Sequence, residues 1–374
     1  MTRITHVSNF PPRPVVDGGT NREGALQRFL ASMGARHIVV MDETFVRSRI
    51  RRPLRPVRLI REIRQSTPDL VVLCYPSYPF FWQYKVTRYF CASVLFTAAL
   101  RRAADKQGFA VVVDVADVPA FQYEDLGFQL EMGCRTLGWF DRFILRRADY
   151  LWMCSESIAR CVQERYGIDE SRLITALNGY QVELQPAVDD DSAGLKFAYA
   201  GSLNRERGIE ILIESFLLGG MDHCELHLCG PYGDWIPEKY KDRRLVCHGS
   251  LSDEQASVAL SGCHVGLIPY PEKGYYHLAF ATKLPFYLGL GMPVLCSNAR
   301  ETASHVQRLG VGLCWGIDDF GSALRHVARN RDQIGSWRRR VLEVRGDFSC
   351  SRIYAKALET TTRRAASMTG KSVL

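Results

Sequence analysis

The sequence lacks the features that define several large classes of protein. No uninterrupted apolar run reaches the roughly 18 to 20 residues of a membrane-spanning helix, and the start MTRITHVSNFPPRP lacks the apolar core of a secretory signal. The 12 cysteines are scattered, with no CxxC pair and no Cys/His group at zinc spacing. We therefore expect a cytoplasmic protein with reduced, buried cysteines and no bound metal.

Acidic residues are scarce only in the first quarter of the chain. Residues 1–100 hold 15 Lys and Arg against 6 Asp and Glu, whereas residues 101–374 hold 33 against 34. Eight of the basic residues form one run opposed only by Glu62, namely Arg47, Arg49, Arg51, Arg52, Arg55, Arg58, Arg61 and Arg64. With the aromatic run YPSYPFFWQY nearby, this cluster is expected either to bind an anionic membrane surface, such as the cytoplasmic face of an inner membrane, or to form a solvated basic face. No nucleic-acid motif accompanies it, so no nucleic-acid partner is expected.

Short β-branched runs alternate with amphipathic segments throughout, which is typical of parallel sheets covered by helices. Strands are predicted at 4–8, 37–41, 70–75, 110–115, 150–154, 173–176, 196–200, 225–229, 244–248, 264–269, 293–297 and 312–315. Helices are predicted at 21–33, 56–65, 81–106, 127–147, 156–165, 208–217, 252–261, 281–289, 301–309 and 351–367. The length, 374 residues, is about that of two ordinary domains. The predicted fold is therefore α/β, with two Rossmann-like doubly wound domains facing a cleft.

The domain borders follow from a change in pattern after residue 180. The stretch 181–195 is polar, acidic and without periodicity, which is typical of a linker. We predict an N-terminal domain at 1–180, a C-terminal domain at 196–350, and a C-terminal helix at 351–374 that packs back on the N-terminal domain.

Two segments of the second half carry the chemistry. In FAYAGSLNRERGIEILIESF, a strand ends at Gly201 and a helix begins near Gly208, so Ser202, Arg205 and Arg207 lie where a diphosphate can be bound. The alternative is a glycine-ended strand with a solvated loop. In VGLIPYPEKGYYHLAFATKLPFYLGLGMPVLCS, the Lys283 side chain lies just inside a helix and could neutralise a departing phosphate.

Four motifs in order resemble the nucleotide-sugar-binding half of GT-B glycosyltransferases, the glycosyltransferase family 4-like domain of enzymes that build bacterial capsule, exopolysaccharide and O-antigen. They are AGSLNRERG, LCGPYGD, HGSL and ATKLPFYLGLGMPVL. In the first half, VVDGGTNREGALQRFLASMGARHIVVM resembles the glycine loop and helix of the acceptor side. The resemblance covers most of the chain and implies the GT-B fold.

The resemblance implies a set of donor-binding residues. Arg207 and Lys283 match catalytic cations that stabilise the leaving diphosphate, and His277 in the donor loop is a candidate contact to the sugar. The other matching positions are Gly18, Gly19, Gly201, Ser202, Arg205, Gly230, Pro231, Gly249, Ser250 and Leu251. Two glutamates that many retaining relatives carry fall at Leu278 and Phe286 here, so ribose recognition must differ.

The catalytic carboxylate is expected on the acceptor side. Asp117 follows the buried run VVVDVA and is a candidate general base, as in inverting relatives, with Glu124 in reserve. The alternative is that Asp114 or Asp117 caps a loop.

The function that the resemblance implies is metal-independent transfer of a sugar, of the hexosyltransferase class, from a nucleoside-diphosphate sugar in polysaccharide biosynthesis. The acceptor would be a hydroxyl of a surface glycan or a polyprenyl-diphosphate-linked glycan, and no cofactor is expected. Two alternatives stay open: a nucleotide-sugar epimerase of the same fold and a non-catalytic nucleotide- or polyanion-binding relative.

Overall fold

The computed structural model describes residues 2–9, 18–40, 55–79, 86–126, 133–183, 194–205 and 208–369. The chain divides into two compact units, the first comprising Met1–Leu177 with Ile353–Leu374 and the second Asn178–Arg352. Each unit contains one six-stranded parallel sheet flanked by helices. The predicted α/β fold with two Rossmann-like domains is confirmed.

The first unit is built on the strand order β2-β1-β3-β4-β5-β6. Its strands are β1 Ile4–Ser8, β2 Arg36–Val39, β3 Leu70–Tyr75, β4 Ala110–Val115, β5 Tyr150–Met153 and β6 Leu173–Thr175. Every residue of β1, β3 and β5 is buried, because helices cover both faces of a parallel sheet. The helices are α1 Gly18–Ser32, α2 Arg55–Gln65, α3 Val86–Gln107, α4 Pro119–Leu126, α5 Cys134–Leu145, α6 Glu156–Tyr166 and, at the end of the chain, α14 Cys350–Thr369.

The C-terminal helix α14 completes the core of the first unit. The Trp152 indole of β5 donates to Thr361 Oγ1 at 2.9 Å, and the Tyr354 ring lies 6.0 Å from that of Trp152. Arg364 donates to the carbonyl of Leu173 at 3.0 Å, at the start of β6. The last segment of the chain therefore folds with the first sheet rather than with the second.

The second unit has the strand order β12-β11-β10-β7-β8-β9. Its strands are β7 Leu195–Ala200, β8 Cys224–Cys229, β9 Leu245–Gly249, β10 Val265–Ile268, β11 Val294–Ser297 and β12 Gly312–Trp315. Its helices are α7 Ile209–Leu218, α8 Trp235–Lys239, α9 Asp253–Leu260, α10 Lys283–Gly289, α11 Arg300–Leu309, α12 Phe320–Arg329 and α13 Arg331–Val344. One face of the sheet packs against α7 and α12 through apolar residues such as Phe197, Phe216 and Leu324.

Several predicted helices differ from those observed. Helix α1 begins at Gly18, whereas the helix was predicted to begin at residue 21, after a glycine loop that contains Gly18 and Gly19. Glycines are tolerated there because the first amides of a helix have no intrahelical partner. The predicted helix at 127–147 is α5 alone, with α4 before it, and residues 127–132 lie outside the described ranges. Helices α4, α8, α12 and α13 were not predicted.

The prediction for the cysteines was only partly right. All 12 are free, but Cys91, Cys134 and Cys247 are exposed rather than buried. Among the described residues, no helix is both long enough and apolar enough to cross a bilayer.

Candidate functional site

Three glycines line the carboxyl ends of β7, β8 and β9. The amide of Gly201 donates to Cys229 O, and the amide of Gly230 donates to Gly249 O, both at 2.8 Å. A Cβ atom on Gly230, whose φ is +151°, would lie 1.9 Å from the carbonyl oxygen of Gly201. Only glycine fits this position. Because Gly201, Gly230 and Gly249 have no side chains, the strand ends present backbone atoms at these three positions.

Lys283, the first residue of α10, lies against this glycine surface. Its side chain is buried, with Nζ 5.0 Å from the ring centroids of both Tyr199 and Tyr270 and 3.5 Å from Tyr270 Oη. A Cβ atom on Gly201 would lie 2.8 Å from Lys283 Cε and 3.0 Å from Nζ. An ammonium group held between two aromatic rings is stabilised by their π-faces. The arrangement therefore places a fixed positive charge where the chain turns after β7.

Tyr287, one turn further along α10, holds this helix to the sheet. Its buried hydroxyl accepts from the amide of Ala200 at 2.9 Å and lies 3.2 Å from the carbonyl oxygens of Ala198 and Leu267. Gly266 of β10 faces the ring, and a Cβ atom there would lie 2.4 Å from it. The sequence analysis missed Tyr287, although its spacing of four residues from Lys283 predicts a position on the same face of the helix.

The loop after β7 carries a guanidinium group on an aromatic ring. The exposed Arg205 lies 4.7 Å from the ring centroid of Trp235, whose indole donates to Leu203 O at 2.9 Å. The carbonyl oxygen of Ser202 accepts from the Tyr199 hydroxyl at 3.0 Å. Arg207, the predicted second cation, lies outside the described residues.

The neighbouring turn after β8 is joined to this loop, since Pro231 O accepts from the amide of Leu203 at 2.9 Å. After β9, Ser250 is exposed and Leu251 is half-buried. Ser252 then begins α9 with a capping box, in which its hydroxyl accepts from the amide of Gln255 at 3.3 Å. Gly230, Pro231, Gly249, Ser250 and Leu251 thus follow directly on two adjacent strands of the sheet.

The loop after β10 is braced by Glu272, another residue that the sequence analysis did not single out. Its Oε1 accepts from the amides of Asn298, just after β11, at 2.9 Å and Ile317, just after β12, at 2.7 Å. In the same loop, His277 Nδ1 accepts from the amide of Arg300 at 3.1 Å, so Nε2 is the ring nitrogen that carries hydrogen. Phe286 is half-buried, with its ring 5.7 Å from that of Tyr287.

In the first unit, Asp117 lies half-buried two residues beyond β4. Both neighbouring strands fix the residue before it: the amide of Ala116 donates to Tyr75 O at 2.8 Å, and its carbonyl accepts from Cys154 Sγ at 2.8 Å. Glu124 is exposed and forms an ion pair with Arg165 at 2.8 Å. Asp117 therefore lies on a backbone that β3 and β5 hold in place, whereas Glu124 lies on the surface of α4.

Two buried carboxylates lie near the segment around Asp117: Asp114 precedes it on β4, and Asp141 is hydrogen-bonded to Ala120 in the first turn of α4. Asp114 of β4 accepts from Arg22 Nε of α1 at 2.9 Å, and both side chains are buried. Burial alone would lower the pKa of Arg22, but the negative charge of Asp114 has the larger opposite effect, so the pKa of Arg22 is raised. Asp141 of α5 accepts from the Tyr75 hydroxyl and, at 2.9 Å, from the amide of Ala120, and burial raises its pKa to about 7. The sequence analysis named Asp114 only as a candidate loop cap and did not name Asp141, because the partners of both carboxylates are distant in the chain.

No protein-family model matches the sequence, and no curated protein matches it in sequence. Solved structures do match. Sucrose-phosphate synthase from Thermosynechococcus elongatus has a TM-score of 0.69 at 15% identity, over 98% of this chain and 100% of that chain. The lipopolysaccharide outer core galactosyltransferase WaaB, in its apo form, has a TM-score of 0.62 at 16% identity, over 96% and 99%. HepE from Anabaena, in complex with UDP, has a TM-score of 0.65 at 12% identity, over 96% and 100%.

These likenesses extend over nearly the whole chain, so the protein has the GT-B fold of glycosyltransferases, as the four motifs predicted. Among the residues that the structure describes, no group of three or more His, Cys, Asp and Glu side chains is arranged to hold a metal ion.

Proposed function

We propose that the protein transfers a sugar from a nucleoside-diphosphate sugar to a hydroxyl group of a glycan acceptor. The observation that carries the proposal is the Lys283 ammonium group against the Gly201 turn at the carboxyl edge of the second sheet. Ligands of open parallel sheets bind at this edge. HepE, which shares the fold, was solved with UDP and with UDP-glucose, which supports a nucleotide-sugar donor.

In this proposal the second unit binds the donor diphosphate. Gly201 leaves room for the Lys283 side chain, since a Cβ atom there would lie 2.8 Å from Lys283 Cε, and Gly230 lets the turn after β8 pack against the carbonyl oxygen of Gly201. Lys283 stabilises the negative charge that develops as the bond between the sugar and the diphosphate breaks. Arg205 and Arg207 add positive charge from the loop after β7. With cations supplied by side chains, the leaving diphosphate needs no metal ion, so we propose a metal-independent reaction.

The first unit supplies the acceptor side in this proposal. Asp117 would accept the proton of the attacking hydroxyl while the oxygen forms its bond to the anomeric carbon. A surface glycan or a polyprenyl-diphosphate-linked glycan is the proposed acceptor. The fixed backbone at Ala116 supports this role, since a general base must be held at hydrogen-bond distance from its proton.

The first experiment is a thermal-shift screen of the purified protein with UDP, GDP, dTDP, ADP and CMP, each with magnesium and with EDTA. Ligand binding to the native state raises the Tm, because it adds about 2.7 kcal/mol to the free energy of unfolding when the ligand concentration is 100 times the Kd. We expect one diphosphate to stabilise the protein equally in EDTA. A shift that requires magnesium would overturn the metal-independent reaction, and no shift with any of the five would overturn the donor site.

A pair of lysine variants tests the site itself. Lys283→Met keeps most of the side-chain volume and removes the charge, so we expect the shift to disappear and donor turnover to fall about 100-fold or more. Lys273 is exposed and lies in the loop between β10 and α10. Lys273→Met is therefore the matched control and should behave as the wild type. Nucleoside diphosphate that is released only when an acceptor is present indicates transfer, whereas a changed sugar without release would indicate an epimerase.

A further inference from the structure

One surface of the first unit combines exposed arginines with an exposed tryptophan. The exposed residues Arg135, Trp139 and Arg142 of α5 and Arg146 at its C-cap are spaced by four, three and four positions, which places them on one face of the helix. We call these four residues the arginine–tryptophan stripe. Trp139 is 49% exposed, although a large aromatic residue on a packed helix is usually buried.

Neighbouring aromatic rings hold Trp139 at the surface. Its ring stacks on that of Phe143 at 5.1 Å and lies 5.8 Å from that of Phe90, on α3. The guanidinium group of Arg147 covers Phe143 at 3.6 Å. Trp139 therefore packs on the rings of Phe143 and Phe90 and has arginines next to it along α5.

The adjacent helices extend the surface. Helix α2 packs beside α3, and α3 contacts α5, so the three form one layer. Leu95 of α3 is 65% exposed and Val57 of α2 is 63% exposed. The exposed arginines next to them are Arg58, Arg61, Arg64 and Arg102.

Acidic side chains do little to offset the positive charge of this layer. In the described parts of the three helices, the acidic side chains that reach the surface are Glu62 and Asp105. Glu62 is bonded to Arg58 at 2.9 Å, and Asp105 to Arg101 at 2.8 Å. The remaining arginines give the surface a net positive charge around apolar side chains that project into solvent.

We propose that this layer docks on an anionic lipid bilayer, with Trp139 and Leu95 entering the interfacial region. Tryptophan favours the boundary between headgroups and acyl chains, and each arginine near an anionic surface adds to the attraction. A nucleic acid would match the arginines but would gain little from Leu95 and Val57, which cannot stack on bases. The docking goes beyond the proposed function and does not depend on it.

Vesicle sedimentation with the full chain and without any sugar donor tests the proposal. Vesicles of one part phosphatidylglycerol to two parts phosphatidylcholine should bind the protein, more weakly as salt rises, and phosphatidylcholine vesicles should bind it much less. Replacing the three stripe arginines by Gln should lower the partition coefficient about 100-fold. Trp139→Ala should lower it about 10-fold, by an amount that salt does not change.

The matched control removes the same charge elsewhere by replacing three exposed arginines with Gln: Arg160, Arg243 and Arg339. We expect this control to bind vesicles almost as the wild type does. An equal loss in both triple variants would show attraction by net charge alone and would overturn the proposal. Tight binding of a duplex oligonucleotide that depends on the stripe, with no binding to vesicles, would overturn it as well. An unchanged Tm and an unchanged shift with nucleoside diphosphate show that the variants are folded and keep their donor site.

Discussion

The two sheets share one architecture, yet their carboxyl edges differ in chemistry. In the described residues beyond β7, β8 and β9, the edge presents glycine backbone with the buried Lys283 against it. Beside the loop after β4, in the other unit, the polar groups are buried carboxylates bonded to Arg22, Tyr75 and Ala120. The comparison teaches that in the described residues one edge brings glycine backbone and a lysine together, whereas at the other Asp114 and Asp141 bond to partners within their own unit, close to the loop that carries Asp117.

The largest effect is expected at the glycine edge. Gly230→Ala should lower the free energy of unfolding by about 5 kcal/mol, or prevent folding of the second unit, because the new Cβ atom meets a backbone carbonyl. Gly249→Ala on the next strand is the control, since its φ is +70° but no atom lies within 4 Å of the added Cβ. That variant should lose only about 1 to 2 kcal/mol, measured by urea unfolding. Equal losses would show that backbone conformation, not the close approach, selects glycine at Gly230.

The next effect concerns the buried ion pair of the first unit. Arg22→Met leaves the Asp114 carboxylate buried without its partner, so we expect a loss of about 4 kcal/mol in the free energy of unfolding. Arg22→Met combined with Asp114→Val should recover most of that loss. As a control, Arg101→Met breaks a half-exposed pair with Asp149 and should lose about 1 kcal/mol or less. A loss at Arg22 no larger than at Arg101 would contradict the internal role of the pair.

A smaller effect is expected where Tyr287 holds α10 to the sheet. Tyr287→Phe leaves the buried amide of Ala200 without its acceptor, which should cost about 2 kcal/mol of stability. The affinity for nucleoside diphosphate should also fall, because α10 positions Lys283. Tyr240→Phe removes a hydroxyl that donates to Glu214 at the surface, and it should change neither quantity. A normal affinity in Tyr287→Phe would mean that Lys283 is positioned without this anchor.

The last prediction is a pH dependence that arises in the first unit. Burial raises the pKa of Asp141 to about 7 in the folded protein, above the ordinary value of 3.8 for the unfolded chain. The folded state therefore binds the proton more tightly, and the stabilisation is full below pH 4 and is lost as pH rises through 7. We expect a slope of up to about 1.4 kcal/mol per pH unit in the free energy of unfolding. Asp141→Asn should remove that slope; an identical slope in the variant would assign it to another group.

Much of the fold follows from local patterns. All 12 predicted strands are observed, each within two residues of its predicted ends, because strands buried on both faces appear as short β-branched runs. Helices α12 and α13 were missed, although Asp319 and Asn330, which are residue types that commonly cap helices, stand directly before them. Lys283 was found through its motif, but Tyr287 was not, because its partners are backbone atoms of two other elements.

By itself, the sequence determined the alternation of strands and helices, the two-domain architecture and the glycines at the strand ends. These depend on hydrophobic periodicity and on residue type, which are local properties. Only the tertiary structure decided that Arg22 pairs with Asp114, 92 residues away, and that Trp139 faces solvent among arginines. Such contacts join residues that are distant in the chain. The free energy of each depends on how far packing has removed its groups from water, which local sequence does not determine.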